Sequence, residues 1–595
     1  MNDTFLVDFK NLDFKVPSTI KRANKDTTPL EPVHILKDIS GSFKPKRLTC
    51  LMGPSGSGKT TLLNLIAGRQ NASSVPGSKS SGTISLNNTP IDPTTERERF
   101  AYVMAHDALF PTMSPRETFR FALKLGSKDT MTDEEIEEKI ESLLRNLRLT
   151  SCGDTMVGNL SIKGLSSGEK KRVSVGMELI HDPELLLLDE PTSGLDSHSA
   201  LLLVELLKQL ALSGRTVVSS IHQPSSEVFQ KFDDACFMAN GEVIYFGPVS
   251  EVLPYFAKKG HVCPADSNPS DFIMYLLQTL SGEELKNLAD QQRKEVSDGK
   301  PSSTSSGEGE TTAREVVAVP GSHAKRKQRS FGVQFWELGK REWLNFFRDV
   351  GALKARLNVG VVIILIISFV FWMVGDNSTQ SEIDISHQGA VTLLAVNAMF
   401  SNSQILLLSF PIERPVFLRE YSSGMYSVPA YFFSKSVVEF PVLFAQVALS
   451  TVIAYYLMAF QGSYIGLVYA LFLVSIASAS VALLLSSIAN DARRAMELTP
   501  LIFVPQIFFS GFFVPMTSVP AVLRWGQYLC ALKYALNIVY ISEFSGFACA
   551  ESQIFSPNNI NTDLEWLYAI ILVVITLGFR VLALIALKLK AHQLY

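Results

Sequence analysis

The chain has 595 residues, with 54 Lys and Arg against 57 Asp and Glu, for a net charge of −3. That length exceeds one compact core, so two or more domains are expected. The charge balance gives no basic field, which excludes nucleic acid as a partner attracted by bulk charge.

The chain opens Met1-Asn2-Asp3-Thr4 and stays polar, without a signal-peptide pattern, so a cytosolic N-terminal domain is expected. Phe14, in Leu12-Asp13-Phe14-Lys15-Val16, is an aromatic that either stacks on a base or packs in the core. Thr49 to Met52 is a short apolar strand. It feeds Gly53-Pro54-Ser55-Gly56-Ser57-Gly58-Lys59-Thr60-Thr61, a P-loop, and the run from Thr60 to Gly68 continues as a helix whose N-terminus faces phosphate. Leu165-Ser166-Ser167-Gly168-Glu169 follows about a hundred residues later. Leu185 to Leu188 is apolar without alternation, the pattern of a fully buried strand, and Asp189 and Glu190 come next. Ser193-Gly194-Leu195-Asp196 lies close behind. Thr216 to Ser220 is another strand, ending at Ile221-His222-Gln223-Pro224. Strands alternating with helices predict an α/β domain with parallel strands at its centre.

Hydrolysing ATP needs a phosphate clamp, a metal and an oriented water. The P-loop amides and Lys59 supply the clamp. Thr60 and Asp189 offer the hard oxygens that Mg²⁺ prefers. Glu190 stands where a carboxylate polarises water, and His222 where a strand end reaches the γ-phosphate. Ser166, Gly168 and Asp196 are expected across a dimer interface, because this motif order is the layout of an ATP-binding cassette. In that layout one chain's signature loop closes the other chain's P-loop.

Residues 281–330 change character: Pro301 to Glu310 is Ser-, Gly- and Glu-rich and reads as flexible linker. Lys325 to Arg329 is a basic cluster, read as a solvated tail in preference to a lipid contact. Residues 331–356 form an amphipathic stretch suited to the membrane surface. Six spans are expected at roughly 357–375, 389–410, 437–460, 465–489, 497–516 and 566–587, each near the roughly 20 residues a bilayer needs. Lys and Arg gather at the ends that share a side with the ATP domain. Asn377-Ser378-Thr379 is a glycosylation sequon in the first outer loop, whereas the sequons at Asn71 and Asn87 fall in the cytosolic part. The segment 517–563 is a longer outer region, partly re-entrant. Arg580, inside the last run, is expected to snorkel to the cytosolic interface. Cys549 leaves both a bridge to a partner chain and a free thiol open. The expected architecture is an α/β P-loop cassette (1–280), linker (281–330), connecting helix (331–356) and an all-α six-span membrane domain (357–595).

The chain resembles half-size ABC transporters of the G subfamily, the White and pleiotropic-drug-resistance group. Asn268-Pro269-Ser270-Asp271-Phe272, Glu413 to Glu420 and Phe509 to Pro515 are similar to that group's own elements. The resemblance implies a dimer that extrudes a lipophilic substrate such as a lipid, sterol or xenobiotic, using ATP and Mg²⁺, most often at the plasma membrane. It also implies a slot near Asn397, Phe400, Val504, Ile507 and Phe508, with an apolar valve at Phe512 and Phe513. Two departures stand out. Ala105 replaces the family's glutamine in Tyr102-Val103-Met104-Ala105, and Ser167 replaces a glycine in the signature. Alanine neither ligates Mg²⁺ nor holds the attacking water. Slow ATP turnover is therefore expected, with a heterodimer preferred over a homodimer, or else a regulatory subunit.

Overall fold

The structure, a computed structural model, describes residues 5–17, 32–69, 78–96, 99–126, 131–159, 161–180, 182–297, 329–379, 381–514, 518–520 and 522–594. It divides into two compact units. One reaches Arg329 and takes in Ser422–Met425; the other comprises Ser330–Tyr421 and Tyr426–His592.

The strands of the first unit are β1 (Val7–Val16), β2 (Val33–Phe43), β3 (Leu48–Met52), β4 (Lys79–Leu86), β5 (Thr89–Ile91), β6 (Phe100–Val103), β7 (Leu185–Leu188), β8 (Thr216–Ser220), β9 (Asp234–Ala239) and β10 (Glu242–Pro248). They form an antiparallel sheet, β2-β1-β4-β5, and a second sheet, β10-β9-β3-β8-β7-β6, in which only β10 runs antiparallel. Strands covered on both faces carry continuous apolar sequence. β7 is accordingly four leucines, each fully buried, and β3 is buried throughout. The helices of this unit are α1 (Lys59–Ile66), α2 (Pro115–Gly126), α3 (Asp133–Asn146), α4 (Ser167–Leu179), α5 (Ser197–Leu212), α6 (Ser226–Gln230), α7 (Val252–Lys258), α8 (Pro269–Thr279) and α9 (Gly282–Ser297).

Two expectations for this unit are corrected. Asn11 takes φ 52, and the pairing of β1 with β2 shifts between Phe9 and Leu12. Strict alternation from Val7 and Phe9 would turn Leu12 and Phe14 outward; the bulge returns them to the core. Phe14 is 0% exposed, so its ring has no free face for adenine. The second correction concerns the linker, whose first part is α9. Ser281 and Glu284 cap each other there, with Ser281 N donating to Glu284 Oε2 at 2.9 Å. Leu285, Leu288 and Ala289 are buried beneath it. Residues 301–310 and 325–328 of the stretch read as linker and basic tail lie outside the described residues, as does Asn71.

The second unit is helical: α10 (Phe331–Arg348), α11 (Val350–Val370), α12 (Ile385–Ser422), α13 (Val428–Leu457), α14 (Tyr464–Ile488), α15 (Ala492–Phe508), α16 (Ala531–Phe544), α17 (Ser556–Asn558) and α18 (Glu565–Leu594). The amphipathic stretch 331–356 is not one helix. Asp349 ends α10, and its carboxylate accepts from Ala352 N at 2.9 Å to cap α11. Among the described residues, five helices are long and apolar enough to cross a membrane: Val350–Asn377, Ile385–Ser422, Val428–Leu457, Tyr464–Ile488 and Thr562–Ala591. The fifth expected span, 497–516, differs. Its helix α15 has 17 residues, carries Pro500 and Pro505, and gives way to turns at Phe509. Gly511 has φ +93, and a Cβ there would lie 2.6 Å from Asn558 Oδ1, so the turn is bound closely to α17. The outer segment 517–563 contains α16, buried without a break from Ala531 to Ile541, which makes it a core helix of this unit.

Arg580 does not snorkel. It is 7% exposed, its Nε donates to Ser480 Oγ at 3.1 Å, and its guanidinium lies 3.4 Å from the Glu439 carboxylate. An inward arginine in an apolar bundle needs such a partner, and α13 and α14 provide it. A second buried pair, Arg341 with Glu420 at 2.8 Å, ties α10 to α12.

Candidate nucleotide site

The parallel strands β3, β6, β7 and β8 all point the same way, so the residues just past their C-terminal ends converge. β3 delivers the P-loop, β7 delivers Asp189 and Glu190, β8 delivers His222, and β6 delivers Ala105.

In the P-loop, Gly58 has φ +100, and a Cβ there would meet Leu36 Cδ2 at 2.6 Å. Only glycine tolerates both the left-handed backbone and that approach. Lys59 is 6% exposed and donates to the carbonyls of Gly53 at 2.7 Å and Pro54 at 3.0 Å. Burial pushes its pKa down, against the pull of the Glu190 and Asp189 carboxylates. Ser57 Oγ is buried and has no partner among the described residues. Pro54 and Thr61 are partly exposed, while Ser55, Gly56 and Thr60 face solvent. An unpaired buried hydroxyl in a loop of glycine amides, at the start of α1, fits a bound phosphate.

Thr60 Oγ1 and Asp189 Oδ1 are 3.2 Å apart. Two hard oxygens at that spacing fit Mg²⁺, with nucleotide oxygens and water completing the shell. Glu190 takes φ 47, a strained value for a residue with a Cβ. Its Oε1 lies 2.8 Å from His222 Nε2. Ser220, 0% exposed at the end of β8, holds this arrangement. Its hydroxyl donates to Asp189 Oδ1 at 2.8 Å and accepts from Glu190 N at 2.8 Å. Tyr102 reaches the other Asp189 oxygen at 3.5 Å.

Ser166, Gly168 and Asp196 form a second cluster at the N-termini of α4 and α5. Ser166 caps α4 in a reciprocal pair with Glu169, its hydroxyl donating to Glu169 Oε2 at 2.8 Å. Burial raises the Glu169 pKa, but the Ser166 hydrogen bonds outweigh it and the net shift is downward. Gly168 faces Ser199, and a Cβ on it would lie 3.0 Å from that side chain. Asp196 caps α5, accepting from Ser199 N at 3.0 Å. Ser167 opens α4 on the exposed side.

Ala105 brings only a methyl group to the β6 loop. Its carbonyl accepts from Lys171 Nζ at 2.7 Å, and the same ammonium pairs with Asp107 at 2.9 Å. Lys171 is 2% exposed, so the loop is fastened to α4 by a buried cation. Sequence reasoning missed Ser220 and Lys171. The signal was available: a serine in an otherwise apolar buried strand, and a lysine on the inner face of a helix, both need partners.

Of the residues expected to line a substrate slot, Asn397 and Phe400 lie on α12 and Val504, Ile507 and Phe508 on α15. Phe400 packs on Phe503 with ring centroids 5.6 Å apart. Val504 and Phe508 are exposed, and Ile507 is partly buried against the core. Asn397 lines a cavity to which α11, α13 and α14 also contribute. Phe512 and Phe513 meet edge to face at 5.0 Å, and Asn377 is exposed just past α11. Cys549 is a free, half-buried thiol.

Comparison with known proteins decides the family. The profile described as ABC transporter matches residues 36–193, and two ABC-2 type transporter profiles match 222–297 and 333–544. Protein white of Drosophila melanogaster is 31% identical over 593 residues, covering 96% of this chain and 85% of its own. The chain belongs to the ABC transporter family. Within it, this is a half-transporter of the G subfamily, a multi-pass membrane protein whose cassette ATPase is coupled to export. Two other relatives span most of its length. ABC transporter G family member 7 of Arabidopsis thaliana is 32% identical, covering 89% of this chain and 74% of its own. The broad substrate specificity ATP-binding cassette transporter ABCG2 of Mus musculus is 31% identical, covering 86% and 80%. Half-transporters of this subfamily work as dimers.

Proposed function

We propose that this half-transporter exports a lipophilic or amphipathic molecule, a lipid, sterol or xenobiotic, across the plasma membrane as one half of a heterodimer. The observation that carries the reading is the Glu190–His222 pair at 2.8 Å, beside Thr60 and Asp189. Lys59 and the P-loop amides hold the phosphates. Glu190 takes the proton of the attacking water, and His222 keeps that carboxylate turned toward the nucleotide. Mg²⁺, held by Thr60 and Asp189, supplies charge neutralisation at the phosphates. Ser166, Gly168 and Asp196 face the partner's P-loop, and Asn377 carries a glycan on the outer side.

Ala105 favours the heterodimer. A methyl group gives no ligand to the metal or the water, so the site built on this chain's P-loop turns over slowly. The partner's P-loop, closed by this chain's signature, then does most of the hydrolysis. A second reading, a membrane-anchored regulatory subunit, draws on the same alanine and on Ser167.

The test is ATPase activity of the purified chain in lipid nanodiscs beside Glu190→Gln. Full turnover by the purified chain alone that the substitution abolishes makes this chain a self-sufficient homodimeric pump and overturns the heterodimer. Activity no greater than the variant's, from folded protein, overturns self-sufficient hydrolysis; a co-purifying second half-transporter whose complex with this chain hydrolyses ATP and transports supports the heterodimeric exporter, and one whose turnover does not depend on nucleotide binding by this chain supports the regulator.

A further inference from the structure

His222 and Gln223 lie between two anchors, Ile221 and Pro224. Ile221 is 1% exposed, and its N–H donates to Leu51 O at 3.0 Å. Gln223 takes φ 40, a left-handed value that strains a residue with a Cβ. The His222 side chain is 41% exposed, so its direction is set by the backbone more than by packing. A strained backbone persists only where its surroundings hold it.

The hold is at Pro224. Proline has no N–H, so its carbonyl is the one backbone group by which this buried residue can be fastened. That oxygen accepts from Asn268 Nδ2 at 2.9 Å and from Ser270 Oγ at 2.9 Å, one donor for each lone pair. Ser270 is 0% exposed, so water does not stand in for its hydroxyl. Asn268 is fixed in turn. Its Oδ1 caps α8 by accepting from Ser270 N at 3.2 Å, and it accepts from Ser226 Oγ at 3.1 Å. Those bonds fill both lone pairs of Oδ1, so the Ser270 hydroxyl proton, although Oγ lies 3.0 Å from the same atom, goes to Pro224. Asn268 Nδ2 also donates to Asp271 Oδ2 at 3.1 Å.

We propose that Asn268 and Ser270 are positioning residues for hydrolysis: they clamp Pro224 O, and the clamp keeps the His222 imidazole against Glu190. Neither touches the P-loop, Asp189 or Glu190 by a hydrogen bond among the described residues, so their route to the chemistry is this loop. The proposal rests on His222 as the group that turns Glu190 toward the nucleotide.

Asn268→Asp keeps the acceptor that caps α8 and removes the donor to Pro224; Ser270→Ala removes the other donor. The test is single-turnover hydrolysis by the full chain in lipid nanodiscs, with protein in excess over ATP so that slow chemistry is read, beside fluorescent-nucleotide binding. Each substitution should slow hydrolysis about fivefold and the pair about 25-fold, as loss of one and of two neutral hydrogen bonds predicts, while nucleotide affinity stays within about twofold. With His222→Ala already present, the pair should cost less than about twofold more, since no imidazole is left to misplace. An equal loss in that background, or a fall in affinity that matches the fall in rate, overturns the proposal. Hydrogen exchange of residues 221–226 gives a reading that needs no turnover. It should rise about tenfold in the double variant while that of β7 is unchanged, and exchange equal to the parent's overturns the clamp. A parent no faster than Glu190→Gln, with exchange rising as expected, supports the clamp and overturns the hydrolytic reading.

Discussion

Ser220→Ala isolates one hydroxyl on which the hydrolytic geometry turns. The side chain is 0% exposed, so no water replaces the lost oxygen. The substitution removes a hydrogen bond to the Asp189 carboxylate, and bonds to charged groups are worth about 1.5–3 kcal/mol. It also strips the Glu190 N–H of its acceptor, a cost of about 1–3 kcal/mol for a buried donor. Both losses fall on residues that orient the metal oxygen and the water-activating carboxylate. If about half the total reaches the transition state, about 1.3–3 kcal/mol, kcat falls roughly 10- to 150-fold. The assay is ATPase turnover of the full chain in nanodiscs, paired with fluorescent-nucleotide binding in Mg²⁺ and in EDTA. Binding in EDTA should be unchanged, since Lys59 and the P-loop are untouched, and the strengthening by Mg²⁺ should shrink. Turnover within twofold of the parent alongside a lowered Tm would refute the reasoning, because the hydroxyl would then serve packing alone.

Other outcomes follow from the same geometry. Burial holds the Lys59 pKa below the ordinary lysine value of about 10.4, while bound phosphate favours the ammonium. ATP affinity is then full below that lowered pKa and declines as pH rises through it; Lys59→Met should bind weakly at all pH, and a flat parent profile from about pH 7 to about pH 10 would contradict this. Gly58→Ala should abolish nucleotide binding while leaving the membrane helices folded, since a Cβ would collide with Leu36 at 2.6 Å; circular dichroism and nucleotide titration check both. Arg580→Leu removes the guanidinium that hydrogen-bonds Glu439, leaving that carboxylate only the charges of Lys435 and Arg356, and should cost about 3–5 kcal/mol, with much of it restored in the double variant with Glu439→Leu. A double-mutant cycle on unfolding temperature measures that recovery, and additive losses would count against the pairing.

Much of the cassette was legible because its chemistry is written in short contiguous runs. Gly53 to Thr61 is one loop, Asp189 and Glu190 are neighbours, and the four leucines before them admit only a strand covered on both faces. The membrane half was legible as composition, since a bilayer demands long apolar helices whatever their packing. The finer decisions came from contacts between segments far apart in sequence. Ser220 meets Asp189 across 31 residues, and Lys171 meets Ala105 across 66. Phe14 turned inward because a bulge at Asn11 changed the phase of its strand. Arg580 turned inward because Glu439 waited on another helix. Local sequence sets which atoms are present and what backbone they favour; tertiary packing sets which buried polar atoms meet. An unpaired polar group in the interior is costly enough that packing overrules the local preference.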